Sequence, residues 1–277
     1  MLPHDPLWPR AGDWPAPVDG ERADVAIVGI PTHLRSLSPT NAHLTPAAVR
    51  EALRRYSTDS ELRVVDCGDA PDPDTVDATA FVSAIDARVV IALGGDNSAT
   101  VPVALGRGAL GLVTVDAHHD VRDGVSNGSP VRELIGSGLS GAHTVQIGIE
   151  PFANSAAYSA RAAELGITVV TRAELRSRSI ADLMREAIDR ASGAGPVHVD
   201  LDVDVCDRAV APGCPASVPG GISAIELRAA ARAAGAHPAV TSIDLTEVDA
   251  TADAPDGRTV RLVALCVLEI IAGVAER

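Results

Sequence analysis

Short apolar runs alternate with Ala- and Leu-rich amphipathic stretches along most of the chain. The runs at Val25–Ile30, Arg63–Asp66, Arg88–Leu93, Gly111–Asp116, Thr144–Ile149, Ile167–Thr171, Val197–Asp202 and Val240–Glu247 have the length and β-branched content of buried strands. Between them, helical patterns predict helices over Pro46–Tyr56, Val131–Gly138, Ser155–Leu165, Arg172–Ala191, Ser223–Ala234 and Arg258–Ala275. Pro46 after Thr45, and Ser223 ahead of an Ala/Leu run, mark helix starts. Strands alternating with helices need crossover connections, so the pattern predicts an α/β fold with a mostly parallel sheet. Residues 1–24, rich in Pro, Trp and charge, read as an irregular lead-in. No repeat, long linker or second composition zone interrupts the rest, which makes 1–277 a single domain.

Composition narrows the picture. The chain has 277 residues, 46% of them hydrophobic but only 2% aromatic, so aliphatic side chains and Ala must fill the core. The net charge is −14, which argues against a nucleic-acid or anionic-membrane partner, since phosphate binding needs a positive field. All the basic residues are Arg. The cysteines, Cys67, Cys206, Cys214 and Cys266, show no CxxC spacing and no readable pairing with His. The start lacks a secretory pattern, and the apolar run Val260–Val274 is short for a bilayer and carries Glu269. A cytoplasmic protein with reduced thiols is the expectation.

In such sheets ligands bind beyond the carboxyl ends of the strands. There the sequence becomes specific: Gly94-Gly95-Asp96-Asn97-Ser98, Asp116-Ala117-His118-His119-Asp120, Asp200-Leu201-Asp202-Val203-Asp204, and Asp244-Leu245-Thr246-Glu247. Asp116, His118 and Asp120 are spaced by two, as are Asp202 and Asp204, so an extended segment would turn each set to one face. Carboxylates packed together in a sheet interior are costly unless cations neutralise them, and carboxylates mixed with imidazole suit an ion such as Mn²⁺. Two ions sharing carboxylates would make a hydrolytic site.

Plainer explanations exist for single residues. An Asp after a strand often caps a helix or turn. The DxDxD stretch fails the EF-hand pattern, with Val205 at the glycine position and Ala211 at the last acid position. Gly94-Gly95 lacks dinucleotide-loop spacing. His119 should point away from His118. His4, His33, His43, His143, His198 and His237 have no comparable neighbourhood and read as structural or surface residues.

Taken together, GGDNS, DAHHD, DLDVDVCDRAVAPG and TEVD resemble the ureohydrolase superfamily of arginase, agmatinase, guanidinobutyrase and formimidoylglutamase, from about Val25 to Ala272. The resemblance implies a three-layer α/β/α, arginase-like fold with a sheet of about eight strands and two Mn²⁺ ions at one edge. It implies Asp116, Asp120 and Asp202 around one ion, with Asn97 in fourth place, and Asp116, His118, Asp202 and Asp204 around the other. Asp116 and Asp202 would bridge, Asp200 would not bind, and Asp207 would hold the turn that follows. Asn97 stands where relatives carry His, and a neutral amide is the weaker donor, so the nearby ion would bind weakly or be missing.

The segment from Asp116 to Arg132 and the stretches Ile147–Ser155 and Gly257–Ala264 are most similar to the formimidoylglutamase branch. Its substrate, N-formimidoyl-L-glutamate, carries two carboxylates and an amidinium. The planar guanidinium fork suits carboxylates, which singles out Arg122 and Arg132, with Asn127 between them, for substrate binding. The resemblance further implies that Glu247 holds the amidinium, that Asp120 moves the proton, and that the protein is a homo-oligomer, trimeric or hexameric. The expected reaction gives L-glutamate and formamide, as in histidine degradation. Alternatives are an agmatinase or guanidinobutyrase releasing urea, a catalytically inactive binding protein of the same fold, and, more remotely, a zinc deacetylase.

Overall fold

The computed structural model describes residue 5 and residues 7–277, so His4 lies outside the described residues. Eight strands form one sheet: β1 (Ala23–Ile30), β2 (Val64–Asp69), β3 (Ala87–Gly94), β4 (Gly111–Val115), β5 (Thr144–Ile149), β6 (Thr168–Thr171), β7 (Val197–Asp202) and β8 (Val240–Thr246). Their order is β2-β1-β3-β8-β7-β4-β5-β6, and every neighbouring pair is parallel. Each apolar run read as a strand is one.

The helices are α1 (Thr45–Leu53), α2 (Thr79–Ser83), α3 (Thr100–Gly106), α4 (Pro130–Gly136), α5 (Ala156–Glu164), α6 (Arg172–Leu175), α7 (Ile180–Ala191), α8 (Ala224–Ala236) and α9 (Arg258–Val274). Strand side chains alternate between the two faces of the sheet, and each face is covered. On one side Ile27, Ile91, Val113 and Val199 pack with Leu53 of α1, Ile188 of α7, Leu227 of α8 and Ile270 of α9. On the other, Val28, Ile30 and Val90 meet Val82 of α2 and Val103 of α3, and Leu112 meets Leu134 of α4 and Ala162 of α5. The architecture is three-layered, α/β/α.

Two helices, α2 and α3, have no counterpart in the sequence pattern. Both are short, and their Thr, Val and Phe residues are poor helix formers. The helix expected over Arg172–Ala191 is two helices, α6 and α7, separated by residues 176–179. Thr171 and Glu174 form a capping box that starts a helix only one turn long. Among the described residues, no helix is long and apolar enough to cross a membrane.

Candidate metal centre

The acidic segments follow β3, β4, β7 and β8, and these four strands are contiguous at the centre of the sheet. Topology alone therefore gathers Asn97, Asp116–Asp120, Asp202–Asp204 and Glu247 at one edge. The loop after β3 can come this close because position 95 is Gly. A side chain there would meet the Thr32 carbonyl oxygen at 1.9 Å.

Two groups of ligand atoms lie within 4.8 Å of one another: Asp116, His118 and Asp204, and Asp116, Asp120 and Asp202. Asp116 is common to both. The alternate spacing in the sequence does bring these side chains together, but through turns rather than an extended segment. β4 stops at Val115, and residues 203–205 form a 3₁₀ turn in which Asp202 Oδ1 accepts the Asp204 N–H at 2.9 Å. Asp120 and Glu247 hold left-handed backbone, with φ of 51° and 63°. For residues other than Gly this costs about 1–2 kcal/mol each, which the surrounding bonds must offset.

The electrostatics are those of a crowded acid cluster. Asp116, Asp120, Asp202, Asp204 and Glu247 are all buried. Burial, then the Asp204 charge, pushes Asp116 up to about 6. Burial pushes Glu247 up to about 8. Burial, then neighbouring carboxylates, holds Asp120 and Asp202 well above the ordinary range. Burial also acts to raise Asp204, but the adjacent His118 brings it below its usual value. The Asp204 charge in turn pushes His118 up to about 12, with Nδ1 lying 3.0 Å from Asp204 Oδ2. Asp116 Oδ2 and Asp204 Oδ1 are buried without a hydrogen-bond partner. Such oxygens fit divalent cations, which would neutralise the cluster and fill the empty lone pairs.

Asn97, expected as a fourth ligand, is hydrogen-bonded within the cluster. Its amide nitrogen donates to Asp120 Oδ2 at 2.5 Å, while its oxygen accepts from Thr100 Oγ1 at 2.7 Å and Thr246 Oγ1 at 3.1 Å. Turned the other way, the amide oxygen would face a carboxylate oxygen, two acceptors together. The Asn97 backbone N–H also donates to Oε1 of Glu247, a residue that lines the pocket, at 2.7 Å.

That pocket is a cavity of about 290 Å³. Asp120, Asp202, Asp204, Glu247 and His118 form its floor, and Arg122, Asn127, Tyr158, Leu37 and Asn154 belong to its walls. Asn127 is committed to the site: its Nδ2 donates to Glu247 Oε1 at 2.7 Å, and its Oδ1 accepts the Leu37 N–H at 3.0 Å. Arg132 is outside the pocket. Its Nε donates to the Arg122 carbonyl at 2.5 Å and its Nη2 to that of Gly124, so it ties down the loop. Thr100, Thr246, Asn154 and Tyr158 were not singled out as site residues from the sequence, since nothing local distinguishes them from ordinary helix, strand and loop residues.

His119 is buried away from the cluster, with Nδ1 2.7 Å from Gln146 Oε1. His198 sits inside the sheet between Ser242 Oγ at 2.9 Å and Asp244 Oδ2 at 3.2 Å. Asp200, across from Asp244 on β8, has Oδ1 3.3 Å from the Thr246 hydroxyl oxygen and belongs to neither ligand group. Asp207 accepts the N–H groups of Ala209 and Gly220 and so holds its turn.

The chain matches the arginase-family model over residues 23–273. It is 33% identical to a formimidoylglutamase of Halalkalibacterium halodurans, over 95% of this chain and 92% of that protein. It superposes on the crystal structure of formimidoylglutamase from Bacillus subtilis with a TM-score of 0.90 at 30% identity, covering 99% of this chain and 94% of the other. A Trypanosoma cruzi formiminoglutamase solved with manganese shares the fold, with a TM-score of 0.83 at 24% identity over 92% of this chain and 94% of that one.

Proposed function

Because the chain belongs to the arginase family, a family of hydrolases, we propose that it is a Mn²⁺-dependent formimidoylglutamase, converting N-formimidoyl-L-glutamate and water to L-glutamate and formamide. Two features of one cavity carry the reading: a floor of buried carboxylates that suits an amidinium, and an Arg122 guanidinium on the wall that suits a carboxylate. The formimidoylglutamase relatives support it.

Two Mn²⁺ ions held by Asp116, His118 and Asp204, and by Asp116, Asp120 and Asp202, would supply a water-derived nucleophile near neutral pH. Glu247 binds the amidinium. Its Oε1 is fixed by Asn97 and Asn127, so Oε2 is aimed rather than free to swing. Asp120, whose Oδ2 is held by Asn97, takes the proton released at the attacking water on Oδ1 and passes it to the departing amine. The bond between the formimidoyl carbon and the glutamate nitrogen breaks. The carbon leaves as formamide and the nitrogen as the amine of L-glutamate.

The reading also includes a single domain, a trimeric or hexameric assembly of identical chains and work in the cytoplasm. A panel of N-formimidoyl-L-glutamate, agmatine and 4-guanidinobutyrate, assayed with Mn²⁺ for formamide and urea, tests the activity. Formamide from the first compound alone is expected. Urea from either of the others at comparable rates would move the assignment to a guanidine-acting relative. Asp120→Asn is expected to lower kcat by about 10²–10⁴-fold, the scale of a lost general base. Near-normal turnover in metal-loaded Asp120→Asn would remove the proton role.

A further inference from the structure

The loop that follows Asp120 is held with more connections than a surface loop needs. Arg161 of α5 donates to the Val121 carbonyl at 2.6 Å and pairs with Asp123 at 2.9 Å. Arg132 of α4 takes the carbonyls of Arg122 and Gly124. The Arg122 N–H donates to the Gly128 carbonyl at 2.9 Å. The Arg122 side chain runs directly over Gly128, where an added Cβ would lie 2.6 Å from its Cδ. Its guanidinium carbon then sits 5.7 Å from the centre of the Tyr158 ring, within range of a cation–π contact.

Tyr158 carries a second guanidinium over the same ring, that of Arg161 at 5.4 Å. Two like charges sharing one ring repel each other unless they are compensated. Asp123 compensates Arg161. Arg122 makes no ion pair with a carboxylate among the described residues, and it lines the cavity. One uncompensated positive charge thus stands above an acidic floor, held by a ring three residues before Arg161 on the same helix.

We infer that Tyr158, with Arg161 behind it, is a specificity-determining positioning residue that holds Arg122 ready for the substrate carboxylate remote from the amidine. The inference rests on the function proposed above. The amidine nitrogen is attached to the α-carbon, so the α-carboxylate stays near the floor while the side-chain carboxylate reaches the mouth. Tyr158 never touches the reacting atoms.

The test compares N-formimidoyl-L-glutamate with N-formimidoyl-L-glutamine, which carries an amide in place of the remote carboxylate, on Mn²⁺-loaded protein. Tyr158→Leu is expected to raise KM for the glutamate compound about two- to fivefold, the size of an exposed cation–π contact, with kcat changed less than the KM. KM for the glutamine compound should stay put, and Tyr158→Phe, which keeps the ring, should restore the wild-type KM. Arg122→Gln should raise KM for the glutamate compound at least about tenfold and abolish any further effect of Tyr158→Leu. An equal response of both compounds to Tyr158→Leu, or no rescue by Phe, would overturn the Tyr158 assignment while leaving the activity standing. Failure of wild-type protein to hydrolyse the glutamate compound would sink the proposed function, and this inference with it.

Discussion

At the scale of single residues, Asn97 carries the sharpest lesson. The sequence offers it as a ligand, and the structure hydrogen-bonds its amide nitrogen to Asp120; we propose that it supports that carboxylate. Partners of this kind orient a ligand without touching the ion, and losing one typically costs about 10–100-fold in metal affinity. Asn97→Ala should therefore weaken Mn²⁺ binding by that factor, read by titration calorimetry against wild-type protein. Unchanged affinity would show that Asp120 needs no help. The candidate ligands themselves were legible because each lies at the end of an apolar run, where chemistry in parallel sheets is placed. Roles set by a distant carbonyl were not. Arg132 looks like Arg122 in the sequence, yet one grips backbone and the other faces the cavity.

At the scale of elements, strands were read with little error because both faces of this sheet are covered. Their runs are largely apolar, broken by the polar positions of β7 and β8, by Asp66 and Asp69 of β2 and by Gln146 of β5. Helices were read where a long amphipathic face or a cap announced them. Ser223 and Glu226 form a capping box at the start of α8, with the Ser223 Oγ accepting the Glu226 N–H at 3.3 Å. Ser223→Ala is expected to lower unfolding free energy by about 1 kcal/mol, measured by urea denaturation, with kcat untouched because α8 lies on the far side of the sheet from the pocket wall formed by α5. The short α2 and α3 bury little surface of their own. Their helicity comes from packing on β1, β3 and each other, which no local pattern records.

At the scale of the whole molecule, the acid cluster links stability to pH and metal. Glu247, at about 8, and Asp116, at about 6, sit above their ordinary values, and His118 is far above its own. A raised folded-state value means that the native protein binds more protons than the unfolded chain. Its contribution is complete below the unfolded value and is lost as pH rises through the folded one. Protein stripped of metal by a chelator should thus have a lower Tm at pH 8 than at pH 5.5. Adding Mn²⁺ should raise Tm at both, and more at pH 8, where the carboxylates are ready to bind. A scanning-fluorescence series at the two pH values checks this, and an equal Mn²⁺ effect at both would contradict the cluster's role. The order of strands, unlike their positions, was not legible, since it is decided by contacts between segments far apart in the chain.

That order has a consequence for how the protein is made. β8 is the last strand in the sequence, yet it is inserted between β3 and β7 in the middle of the sheet. A nascent chain emerging from the ribosome can thus assemble two half-sheets, but it cannot join them until about residue 246 has cleared the exit tunnel. Glu247 arrives with the strand that closes the gap, so a truncated translation product would carry most of the ligands and none of the finished centre.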